Sequence, residues 1–218
     1  MKQNIKCYFA VTSRLYRILI LLVFPAITVA VNALIKWISG DHIFYGFSLT
    51  SSFLLIEIAG NYLLSGGIAS RQTEKLGYLK SSARGEWLLK NVMCADMVRR
   101  FLYFLMELIC VSAISEILPQ NGWAADVRYN EGMPVFLGLL SVGYFYGTFG
   151  IMIVRFFDSF RATLIVWYLS VIPVSISCSA LNKFPSSYVV PAIYLLLSIL
   201  ASIFSIWLVI KRLRSEPQ

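Results

Sequence analysis

Charge is scarce in this chain. Only 14% of its 218 residues are Asp, Glu, Lys or Arg, against about 25% in a soluble domain. Histidine is scarcer still: His42 stands alone, beside Asp41, in a short polar turn. One imidazole excludes a metal site built from several, and it leaves an intramembrane serine nucleophile without its usual base. The phosphate-binding pattern GxxxxGK[ST] is missing, so any use of ATP has to come from another polypeptide. Cys7, Cys94, Cys110 and Cys178 form no CxxC pair and are read as free thiols rather than as a disulfide framework. Together these gaps argue against an enzyme and against a metal centre.

Hydrophobic residues make up 58% of the chain, and they gather in runs long enough for a bilayer core of about 30 Å, which takes roughly 20 helical residues. Spans are expected at 15–38, 43–66, 101–118, 134–154, 162–182 and 188–210. The fold class that follows is all-α, a single polytopic membrane domain over 1–218. The first run follows Lys2, Lys6, Arg14 and Arg17; it is long for a cleavable leader and is read as an anchor. Of the 19 lysines and arginines only Lys36, Arg128 and Lys183 fall on one side of this arrangement. The others occupy the remaining side, which the positive-inside rule makes cytoplasmic, with both termini there. The net charge of +8 is thereby assigned to flanks of spans and lipid headgroups, and no nucleic-acid surface is expected. Trp37, Trp167 and Trp207 fall near the predicted interfaces.

Outside the spans two segments carry pattern. In residues 2–17, Ile5, Tyr8, Phe9, Thr12 and Tyr16 recur at helical spacing among Lys6, Arg14 and Arg17, which suits an interfacial helix; the alternative is a frayed polar tail. Residues 71–100 read RQTEKLGYLKSSARGEWLLKNVMCADMVRR. Ser81 or Ser82 can cap a helix there, Glu86 and Lys90 stand at i,i+4, and Asp96 can pair with Arg99 or Arg100. Trp87, Leu88, Leu89, Val92 and Met93 supply an apolar face. Two readings stay open: a solvated extension of two membrane helices, or a docking element for a cytosolic partner.

Within the spans, Thr50, Glu57, Asn61 and Ser65 share one face of the second, and Glu107 lies in the third. A carboxylate in hydrocarbon costs at least about 2.5 kcal/mol, so Glu57 and Glu107 are expected either to line an inner vestibule, with Asn61, or to pair with Arg99, Arg100 or Arg155. Counted from the inner ends they come to similar depths. Gly143 and Gly147 in span four, and Ser198, Ser202 and Ser205 in span six, are read as packing stripes. Pro173 opens a possible break in span five.

A leading interfacial helix, six spans, inward-facing ends and the stretch GYLKSSARGEWLLKNVMCADMVRR between spans two and three resemble the type-two class of ABC export permeases. That resemblance implies a coupling helix in the first cytoplasmic loop, docking on a separately encoded ATPase through Leu79, Arg84, Glu86, Trp87, Leu88 and Leu89. It also implies a second permease subunit, identical or paralogous, and a bacterial plasma membrane. ATP and Mg would sit on the partner ATPase and no cofactor on this chain, with Glu57, Asn61 and Glu107 as transport-path candidates for an amphiphilic substrate. The competing classes are a stand-alone carrier or channel, a peptide-immunity protein, and a substrate-binding subunit of an importer.

Overall fold

The computed structural model describes residues 6–9, 12, 14–39, 42–65, 84–117, 133–157, 160–183 and 187–215. All of the secondary structure in them is helical. A first rod consists of α1 (Arg14–Ile18), a π turn (Leu19–Val23) and α2 (Phe24–Ser39); α3 (His42–Ser65), α4 (Gly85–Ile117), α5 (Met133–Phe157), α6 (Phe160–Lys183) and α7 (Val189–Ser215) follow.

Proline explains the π turn. Pro25 has no N–H, so the carbonyl one turn back cannot be bonded in the α register. The helix widens instead, and the Phe24 amide reaches five residues back to the Leu19 carbonyl. Pro173 has no comparable effect: α6 runs through it to Lys183, so span five is unbroken there. The hydroxyl of Ser177 donates to the Pro173 carbonyl at 2.7 Å, and Ser175 and Ser179 make the same backward bond, which lets serines occupy an apolar helix without stray donors.

Among the described residues, three helical stretches are long and apolar enough to cross a membrane: Arg14–Ile38, Met133–Phe156 and Val189–Lys211. Two shorter apolar stretches, Gly46–Gly60 and Trp167–Leu181, lie within α3 and α6.

Packing centres on α5, which touches α3, α4, α6 and α7. Gly143 and Gly147 set its fit. A Cβ on Gly143 would stand 2.0 Å from the Phe104 ring and one on Gly147 2.2 Å from the Phe53 ring. The small-residue pair is thus a notch for two aromatic side chains, whose own ring centroids are 4.6 Å apart, within the range of a favourable aromatic pair. Around them Leu49, Leu108, Leu140 and Val142 close the core.

Hydrogen bonds between side chains tie the helices further. Asn32, fully buried, donates to Ser52 Oγ at 3.0 Å and accepts from Ser48 Oγ at 2.8 Å, joining α2 to α3. Ser177 lies 3.0 Å from Tyr146 Oη and 2.6 Å from Tyr194 Oη, joining α6 to α5 and α7. At the helix ends, Trp207 stacks on Phe204 and carries Lys211 over its ring at 4.9 Å, a pairing suited to an aromatic belt.

Candidate functional site

The N-terminal half of α4 presents Asp96, Arg99 and Arg100 at spacings of three and four, one above another on a single face. Arg99 donates through Nε to Asp96 Oδ1 at 3.0 Å, and its two terminal nitrogens grip Glu57 of α3, at 2.9 Å to Oε1 and 2.6 Å to Oε2. Arg100 donates to Asp96 Oδ2 and stands 3.0 Å from Glu57 Oε2. Arg155 of α5 approaches Asp96 Oδ2 to 3.6 Å and donates to Ser205 of α7 at 2.9 Å. The network therefore fastens α3, α4, α5 and α7 at one level. Glu57, at 0% exposure, Asp96, Arg100, Arg155 and Ser205 are buried, and Arg99 is part-buried.

Burying ions costs several kcal/mol each unless partners and hydrogen bonds offset it. Here the bidentate fork of Arg99 and the shared oxygens of Asp96 supply that compensation. Burial alone would raise the Asp96 carboxyl, but Arg100, Arg99 and Arg155 outweigh it and hold the group down to about 2. The Arg99 guanidinium, against the opposing effect of its burial, is held well above its ordinary value by Glu57 and Asp96.

Glu107 stands apart. It is 1% exposed, and neither carboxylate oxygen makes a hydrogen bond of normal geometry, although the hydroxyls of Tyr103 and Thr28 lie near enough to act on it. The hydroxyl of Tyr103, one turn back, likewise makes no hydrogen bond of normal geometry and lies near Glu107 and Thr28. Glu107 and Tyr103 line a groove of about 410 Å³ between the first rod and α4, walled by Leu21, Pro25, Leu102 and Met106 and reaching Arg99 and Tyr8 at its inner end. The expectation of similar depths for the two glutamates is corrected: Glu57 meets Arg99, and Glu107 lies eight residues further along α4, about 12 Å at ~1.5 Å per residue. They share no arginine, since Glu57 takes the ion-pair alternative and Glu107 lines the groove.

No protein-family profile, no curated protein and no solved structure matches the chain.

The docking residues expected from the sequence are divided. Arg84 is exposed in the turn before α4, Trp87 is 45% exposed, and Glu86 pairs with Lys90 at 2.9 Å. Leu88 is half-buried and Leu89 only 1% exposed. Leu89 therefore leaves the docking face. It packs with Val92 and Met93 against Cys7, Tyr8, Tyr16 and Ile20, so the apolar stripe of this segment is covered by the chain's own N-terminal part. Tyr8 and Tyr16 meet there through their hydroxyls at 3.0 Å. From Gly85 onward the segment belongs to one helix with the third expected span. Leu79 lies outside the described residues, as do Ser81 and Ser82, and the structure describes the backbone of Asn61, in α3, but not its side chain. Sequence reasoning missed the Asn32 clip and the contribution of Leu21 and Pro25 to the groove. An asparagine and a proline inside an apolar run were the available signals.

Proposed function

We propose that this chain is a permease subunit of an ATP-driven ABC exporter, with six membrane spans, inward-facing termini and its ATPase on a separate polypeptide. The observation that carries the reading is α4. Its 33 residues extend about 50 Å at ~1.5 Å per residue, far more than a core of about 30 Å requires. Its first turns therefore project on the side that holds the basic residues, with Arg84 and Trp87 exposed there. Fourteen residues below Gly85, Arg99 is bonded to Glu57, so a push on the projecting end is delivered through a rigid helix to α3, α5 and α7. A nucleotide-driven partner needs such a lever.

The full sealing of Glu57 favours a second reading, a small membrane protein without an ATPase, such as an immunity protein, because a static ion network serves anchoring as well as leverage. Co-purification separates the two. A tagged permease brings down an ATP-binding protein in mild detergent, and Trp87→Glu with Arg84→Glu weakens that capture at least tenfold while the melting temperature holds. Recovery of the chain free of any ATP-binding protein, under conditions in which both are expressed from their native locus, excludes the exporter reading.

A further inference from the structure

The groove between the first rod and α4 has an apolar wall and an acceptor-rich floor that the bundle does not use. Leu21, Leu102 and Met106 are about half exposed along its mouth, so it opens sideways onto the apolar outside of the bundle. On the floor are the two oxygens of Glu107 and the hydroxyl of Tyr103, all three buried and none in a hydrogen bond of normal geometry, with the Thr28 hydroxyl beside them. A buried carboxylate left in that state forgoes a charge-assisted bond worth about 1.5–3 kcal/mol, which a ligand can supply. Arg99 reaches the inner end, but each of its nitrogens is engaged by Glu57 or Asp96, so it neither neutralises Glu107 nor presents an uncompensated cation.

We infer that the groove binds a single-chain amphiphile with a primary ammonium head, the alkyl chain along Leu21, Pro25, Leu102 and Met106 and the ammonium at Glu107 and Tyr103. A primary ammonium brings three N–H donors and no acceptor, matching three acceptor oxygens. A carboxylate head would be repelled, and a trimethylammonium head has the charge without the donors. A volume of about 410 Å³ falls in the range of small-molecule sites, roughly 300–1,000 Å³. The π turn contributes as well: by widening the helix before Pro25 it sets Leu21 and Pro25 on the groove wall, and π turns recur at functional sites. This deepens the permease reading, from which it takes an amphiphilic substrate, but binding requires no ATPase.

The test is native mass spectrometry of the full chain released from detergent with dodecylamine, dodecyltrimethylammonium or dodecanoate. One dodecylamine per chain is expected, at least tenfold tighter than either comparator. Glu107→Gln lowers the affinity at least tenfold. Leu102→Trp, at the exposed lip, fills the groove and does the same with Glu107 intact and the melting temperature unchanged. Equal binding by wild type and E107Q, or by the trimethylammonium compound and the amine, overturns the proposal. So does a dimer that L102W dissociates and the amine does not, which would give the groove to a second copy. Failure here leaves ATPase capture untouched, and failure of that capture leaves amine binding to stand alone.

Discussion

At the scale of single residues, five of the chain's charges gather in one network. Glu57 and Asp96 face Arg99, Arg100 and Arg155, so the deletion of either carboxylate leaves guanidinium groups buried and unmatched. Glu57→Gln is expected to cost about 3–5 kcal/mol, the usual penalty for breaking a buried pair from one side, read as a lowered melting temperature in detergent. Glu107→Gln is expected to leave that temperature unchanged or raise it, because the carboxylate it removes is buried without a cationic partner among the described residues. Acid should act through Asp96. Its carboxyl is lowered from 3.8 to about 2, so the stability it contributes is complete above its ordinary value and is lost as pH falls toward about 2. Melting temperatures measured between pH 5 and pH 2 should fall at the acid end for the wild type, and Asp96→Asn should flatten that limb while lowering the whole curve.

At the scale of helices, the notch in α5 carries a second expectation. Adding a methyl at Gly143 drives it into the Phe104 ring, and overpacking of this kind costs about 1–3 kcal/mol. Gly143→Ala should destabilise, and Phe104→Leu in the same chain should recover part of the loss; a double-mutant cycle with no coupling between the two would deny that ring and notch fit together. Much at this level was legible in the sequence. Helices stand where apolar runs of span length were read, as with 134–154 against Met133–Phe157 and 188–210 against Val189–Ser215. Periodicity locates such faces but does not say what covers them. The stripe Leu89, Val92 and Met93 fits a partner's groove as well as it fits Tyr8 and Tyr16, and only the fold decides. The charged cluster was half legible: Asp96, Arg99 and Arg100 announce themselves by spacing, whereas Glu57 and Arg155 join from 39 residues before Asp96 and 59 after it, a distance that local pattern cannot bridge.

At the scale of the molecule, the distribution of charge predicts a direction across the membrane. Arg99, Arg100 and Arg155 meet at one level, and Lys90 and Arg84 lie beyond it toward the start of α4; arginines and lysines at span ends stay with the cytoplasmic side. The opposite ends of the spans hold few such residues, Lys36 at the end of α2 and Lys183 at the end of α6 among them. Single cysteines in a chain freed of its four native ones give a direct measure. A membrane-impermeant maleimide added to intact cells should label Arg128→Cys and leave Lys80→Cys unlabelled until the cells are opened. Labelling of Lys80→Cys from outside would invert the molecule, and the projecting end of α4 would then face away from any source of ATP. The ion network would keep its geometry in either orientation, yet only the inward one is compatible with the proposed coupling to an ATPase.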